Sequence, residues 1–262
     1  MKDQALEHWP RPLFVPLPLQ SLFFFVMYGV LEESFPAISR ADYRTLGLPE
    51  GLELAFHSLE ERPELRSHFQ SGSPWEQFCI DAPKVVEAIQ HAPTCLVLRG
   101  ELPDADHLNS LRDCVGLIQF LIDHGASAVC DVLTGCWYRG LHWRLRIFDQ
   151  GPAASIAFVT FLSIVQPDGT LQLYTRGMRR FARPDLLIRG HGPSDEATCM
   201  AMIQRIVEAM IAGGSIPEGQ TLRFPELGMS VTCRWQGGLD DPLFYNFWIE
   251  LAIHRGKATP PT

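Results

Sequence analysis

An α+β fold, with a mixed to mostly antiparallel sheet packed with helices, is predicted by three observations. Strand-like and helix-like apolar segments alternate through the first half of the chain; the second half reads as strands around one helix; and IAFVTFLSIVQ, PDG and TLQLYTR in succession read as a hairpin. The order fits two αβ modules, residues 1–135 and 136–262, with a seam near 135–155 where Pro152 and nearby glycines fall. It also fits one continuous domain, since 262 residues suffice for either.

Each element has its own signal. The run LFFFVMYGVL at 22–31 predicts a buried strand or short helix. Pro16 and Pro18 interrupt the apolar stretch and leave it shorter than the ~20 residues that span a bilayer. Asp3, Glu7, Glu32 and Glu33 are the wrong flanks for a signal peptide, so no membrane association is expected. LELAFHS at 52–58 predicts a strand, APKVVEAIQHA at 82–92 a helix and TCLVLRG at 94–100 a buried strand. Leu108, Leu111, Val115, Ile118 and Ile122 recur at helical spacing, with Asp104 as N-cap and Gly125 as the left-handed residue after the last turn. ASAVCDVL at 126–133 follows as a strand.

LHWRLRIF at 141–148 alternates, so a strand there turns Leu141, Trp143, Leu145 and Ile147 inward and His142, Arg144 and Arg146 to the opposite face. Asp168 and Gly169 suit a hairpin turn, and the strand before them, apolar on both faces, is expected to be central. After LLIRG, Pro193, Ser194, Asp195 and Glu196 open a helix whose core face carries Met202, Ile203, Ile206, Val207, Met210 and Ile211; Gly213 and Gly214 stop it. Met229, Val231, Cys233 and Trp235 alternate in one closing strand, and Phe247, Ile249, Leu251 and Ile253 in another, where Trp248 faces either the surface or a second buried side. The tail KATPPT is expected to fray.

Composition excludes several functions. A net charge of −8 argues against a nucleic-acid binder, which needs a broad basic face. Seven dispersed cysteines without a C-x-x-C pair read as thiols of a reducing, cytoplasmic compartment. The nine histidines form no metal motif, and no nucleotide-binding or serine-hydrolase motif is present, so neither metal nor cofactor is expected.

Charge is unevenly spread. Between Arg139 and Arg189, eight arginines stand against three acids, a local +5 that leaves −13 elsewhere. Guanidinium groups present a planar donor fork to phosphate and carboxylate, so Arg144, Arg146, Arg176, Arg179, Arg180 and Arg183 are the candidate ligand-binding residues. The opposing reading is a compositional habit, with 19 arginines against three lysines and many of them facing water. Cys136, in the turn TGCW beside Arg139, His142 and His191 are candidate reactive groups, whereas Cys130 sits in an apolar strand pattern and reads as core. Ser194 and Asp195 read as a helix start rather than as catalytic groups.

The segment LYTRGMRRFARPDLLI resembles a family of uncharacterised bacterial proteins defined as a domain of unknown function, with the pattern T-x-G-[LM]-x-x-F-G-x-P-[DE]. Thr175, Gly177, Met178, Phe181, Pro184 and Asp185 match, and Ala182 stands where the pattern has glycine. DHGASAVCD and CWY also look similar to a segment of that family. The resemblance implies a cytoplasmic bacterial α+β protein and transfers no catalytic residue. Three functions follow as expectations. One is a binding module for a protein partner or small anionic ligand through the arginines. Another is an enzyme acting on a phosphorylated or carboxylated small molecule. The third is a structural or oligomer-forming role.

Overall fold

The structure, a computed structural model, describes residues 6–31 and 35–255; the tail KATPPT and the acids Asp3, Glu32 and Glu33 lie outside the described residues. The first apolar run forms β1 (Gln20–Gly29), in which Phe23, Phe25 and Met27 face one side and Val26 and Tyr28 the other. A strand buried on both faces belongs in the middle of a sheet. It is the centre of five antiparallel strands in the order β2-β3-β1-β4-β5, where β2 is Leu52–Ser58, β3 Thr94–Pro103, β4 Ala126–Asp131 and β5 Cys136–Arg139. β3 pairs along the whole of β1, from Gln20 opposite Pro103 to Gly29 opposite Thr94.

Five helices punctuate this half: α1 (Arg40–Tyr43), α2 (Glu64–His68), α3 (Ser73–Asp81), α4 (Pro83–His91) and α5 (Asn109–Asp123). α5 lays Leu111, Val115 and Ile118 on the Phe25 side of the sheet, each removal from water contributing roughly 1.5–3 kcal/mol. α3 and α4 cover the opposite side through Phe78 and Ile89, against Tyr28, Val97 and Trp137. Asp104 does not cap α5: Leu108 holds that position without a capping side chain, and the Asp104 carboxylate binds Arg11 and Arg183 instead. Gly125 follows the helix with a positive φ, as its sequence position predicts.

The segment read as a strand at 141–148 is helical, comprising α6 (Gly140–Trp143) and a wide turn over Arg144–Phe148. Trp143 and Ile147 are buried four residues apart with Phe148, while Leu141 and Leu145, which a strand would bury, are exposed. A 3-10 helix over Gly151–Phe158 continues the winding, so the first hairpin strand is only β6 (Thr160–Val165).

β6 opens the second sheet, whose order is β6-β7-β8-β11-β10-β9, with β7 Leu171–Arg176, β8 Asp185–His191, β9 Thr221–Phe224, β10 Met229–Gly238 and β11 Asn246–Arg255. β6 is therefore an edge strand and not the central one expected; Ile164 and Val165 are exposed at its end. The hairpin turn forms as read, with Gly169 N–H donating to Gln166 O and Gln166 N–H to Thr170 O. All pairings are antiparallel except β8 with β11.

α7 (Glu196–Ile211) crosses this sheet with its predicted apolar face buried against Leu186, Ile188, Val231, Cys233, Ile249 and Leu251. Trp143, Phe158 and Phe25 join that cluster to the α5 face of the first sheet, so one core runs between the sheets. The proposed seam at 135 and 136 falls inside the β4–β5 hairpin of the first sheet, where Cys136 pairs with Asp131. On the far face of the second sheet Trp248 is part-buried, packing on Phe244 and donating Nε1–H to Asp241.

Candidate functional site

Cys136 begins β5 because the turn before it is closed by its own polar groups. Asp131 O accepts from Gly135 N–H at 2.8 Å and from the Thr134 hydroxyl at 3.3 Å, and Cys136 N–H donates to Thr134 Oγ1 at 3.3 Å. The Asp131 carboxylate, 0% exposed, receives two nitrogens of the equally buried Arg180, each at 2.6 Å. That guanidinium packs over the rings of Phe25 and Phe158, 4.4 and 4.8 Å from their centroids, in the corner formed by their edge-to-face contact. A desolvated, bidentate pair with two aromatic rings against its guanidinium ties the hairpin to the β7–β8 connection of the second sheet.

Beside β5, the edge strand of its sheet, lies a cleft of about 520 Å³ bounded by α3 and the helical segment 140–148. Cys136, Trp137 and Tyr138 line it from the strand, and His142 and Arg146 line it from the helical wall. Helical winding places His142 and Arg146 one turn apart on one face, which the strand reading also allowed, but turns Arg144 away to pair with Asp123 at 2.8 Å. Gln77, Phe78 and Asp81 of α3 form the facing wall, where Gln77 donates to Asp81 at 3.0 Å. Trp137 stacks on Tyr28 and packs against Trp75 and Phe78, giving the cleft an aromatic floor.

The electrostatics are specific. Arg139 Nη2 approaches His142 Nε2 at 2.8 Å, a contact that requires an unprotonated Nε2 and leaves the neutral ring's proton on Nδ1. Partial burial, then Arg139 and Arg146, hold His142 below the usual imidazole range, with Asp81 opposing them. The Cys136 sulfur lies 3.4 Å from Thr160 Oγ1, and the Tyr138 hydroxyl donates to Ala157 O at 3.3 Å. Burial, reinforced by Cys136 and Asp131, pushes that phenol well above its ordinary pKa and keeps it a neutral donor. The cleft thus offers one permanent cation, one neutral imidazole, one carboxylate and an aromatic surface.

The remaining candidates are dispersed. Arg183, 0% exposed, donates to Asp104, Ala182 O, Val15 O, Gly213 O and Gly214 O. Arg11, which the sequence reading passed over, shares Asp104 with it and donates to Met210 O and Ile211 O. The two guanidiniums satisfy carbonyls at the C-terminal end of α7, where the helix dipole favours positive charge. Burial and the neighbouring Arg183 lower the Arg11 pKa to about 10 against the pull of Asp104. Arg179 pairs with Glu101 and donates to Tyr245 O at 2.8 Å, and Arg176 is part-buried at the end of β7. Arg180 and Arg183 are therefore internal ties and not parts of a basic surface, because each donor fork meets a buried carboxylate.

His191, on β8 of the other sheet, does not join Cys136 and His142. It is 4% exposed, with neither ring nitrogen hydrogen-bonded among the described residues, and burial holds its pKa down against Glu196 and Asp195. Asp195 occupies the cap position of α7, but its side chain makes no capping hydrogen bond.

The residues behind the family resemblance form a shaped turn. Thr175 Oγ1 donates to Asp185 Oδ1 at 3.0 Å and accepts from Leu186 N–H at 2.8 Å, while Asn246 Nδ2 donates to Asp185 Oδ2 at 2.9 Å. Burial pushes the Asp185 carboxyl up to about 7 despite these donors, Met178 N–H and Arg176. Gly177 has φ 110 and leaves no room for a side chain, since a Cβ would lie 2.3 Å from Phe158 O. Ala182 also adopts a left-handed conformation, φ 50 and ψ 44, at the position where the pattern has glycine.

Sequence reasoning missed Asp81, Gln77 and Phe78 of the facing wall and Asp131, which neutralises Arg180, and it read Asp104 as a helix cap and not as the partner of Arg11 and Arg183. The turn signature D-x-x-T-G before Cys136 was the legible local clue to Asp131. Among the described residues no group of three or more His, Cys, Asp or Glu converges on a metal position, and no helix is long and apolar enough to cross a membrane. Comparison of the chain with family models, with curated proteins and with solved structures finds no match.

Proposed function

We propose that this protein is a binding module that takes a small, flat organic anion in the cleft beside β5, and that it works in the bacterial cytoplasm. The observation that carries the reading is the convergence of Arg146, His142 and Cys136 on one open, aromatic-floored cleft. A carboxylate or phosphate would meet the Arg146 fork and the His142 Nδ1–H; its body would lie along Trp137 and Phe78, and a donor group on it would suit Asp81. The cytoplasmic setting is supported by seven free thiols, and the bacterial one by the resemblance over Thr175–Asp185.

Catalysis by a thiol and imidazole has less support: His142 Nε2 is engaged by Arg139, and the polar neighbour of the Cys136 sulfur is a hydroxyl. The test is a thermal-shift series with aromatic carboxylates, phosphosugars and nucleotides at low and high salt. A salt-sensitive rise in Tm that disappears in Arg146→Glu supports the reading. No rise with any compound, or a rise that survives Arg146→Glu, overturns it.

A further inference from the structure

A second, separate recess lies on the other sheet. β9 ends that sheet, so amide and carbonyl groups of alternate residues in Thr221–Phe224 point away from β10, their only strand neighbour among the described residues. On the α7 side of this edge, a groove of about 290 Å³ runs between the strand and the helix. Its walls are mostly apolar, with Ile206, Ala209 and Met210 from α7, Ile216 from the following loop, and Leu222 and Phe224 from β9, and Ser215 and Arg223 also line it. Arg205, paired with Glu226, stands at the helix rim. Arg223 alternates with Leu222 and Phe224, is exposed, and has no acidic partner among the described residues.

We infer that this edge is a docking site for an extended peptide segment of alternating apolar and acidic residues, added to β9 as a further strand. Three features converge on that occupant. The open edge offers the backbone hydrogen bonds of strand addition. An added strand sends every second side chain to the face of Leu222 and Phe224, so its apolar residues enter the groove beneath α7. The intervening side chains emerge on the Arg223 face, where a cross-strand carboxylate completes the uncompensated guanidinium. Of the other edge strands, β2 carries Glu53 near its start, β6 carries no arginine, and the arginine of β5, Arg139, is engaged with His142, so an acidic strand is directed to β9.

The experiment uses the full chain and a fluorescein-labelled, end-blocked hexapeptide alternating valine and glutamate, read by anisotropy. Saturable binding is expected, with at least about a tenfold loss when alternate peptide amides are N-methylated. A loss of similar size is expected in Ala209→Glu, which places a charge in the groove from an exposed helix position. Arg223→Glu should weaken the glutamate peptide and strengthen its valine–lysine counterpart, a reversal that a misfolded variant cannot give. Absence of binding, or binding indifferent to N-methylation or to the charge swap, overturns the inference. So does binding seen only with a chain shortened to residue 255, which would give the groove to the protein's own last residues, or binding lost as protein concentration rises, which would give it to a second copy. The groove and the β5 cleft lie on different sheets, so failure at one is distinguishable from failure at the other.

Discussion

Two groups of arginines, alike in sequence, occupy opposite environments. Arg180 and Arg183, in the densest basic stretch, are wholly buried against Asp131 and Asp104, carboxylates 49 and 79 residues away. Arg146, in a less conspicuous segment, opens on a cleft with His142 and Cys136. The difference teaches that local charge density does not locate a binding surface; what matters is whether the fold brings a carboxylate or a helix C-terminus to each guanidinium. A buried fork that donates to a buried carboxylate is a tie, while an exposed one beside an aromatic floor is available to a ligand.

The contrast can be broken most severely at the buried tie. Arg180→Met should lower unfolding free energy by about 3–5 kcal/mol, because it strands the Asp131 carboxylate, and urea denaturation reads it directly. Asp131→Leu combined with Arg180→Met should recover most of that loss, and a double variant as weak as the single would show that the anchor is more than the pair.

Next in size is a pH effect in the same turn. A carboxyl raised to about 7 in the folded state binds its proton more tightly there than when unfolded near pH 3.9, so its contribution is fully present below about pH 4 and is lost as pH rises through 7. Stability should fall by at most about 1.4 kcal/mol per pH unit in that window, and Asp185→Asn should flatten the slope. An unchanged slope in the variant would assign the effect to other groups.

On the open side, Arg146→Glu should cost about tenfold or more in affinity for any anion that binds the cleft, with little change in Tm of the unliganded protein. Ala182→Gly should stabilise by about 0.5–1 kcal/mol, since the left-handed conformation penalises a Cβ. The smallest effect belongs to Arg144→Ala, within about 0.5 kcal/mol, because its pair with Asp123 is solvent-exposed.

Much of the frame was legible where periodicity was unambiguous: β1, β3, α5, α7, β10 and β11 each show one buried stripe or two. The segment 141–148 misled because LHWRLRIF satisfies period two while Trp143 and Ile147 also satisfy a helical turn; tertiary packing on α5 and the 3-10 helix decides between them. β6 misled because the apolar run before it is divided between that 3-10 helix and an edge strand. Within the cleft, Cys136, His142 and Arg146 were readable as residue types, but Asp81 and Gln77 arrive from a helix more than 50 residues earlier, a juxtaposition no local pattern encodes.

The parallel pairing of β8 with β11 also bears on the order of assembly during synthesis. β11, the last strand along the described chain, fills the middle of its sheet between β8 and β10, with Trp248 opposite Asp185. Until residues 246–255 leave the ribosome, the β6-β7-β8 hairpins and the β9-β10 hairpin each present an unpaired edge, and the contact that unites them closes a loop of some sixty residues. Nascent chains interrupted before that point would carry two adhesive edges and a half-covered α7, which makes the synthesis of β11 the step that closes those two edges.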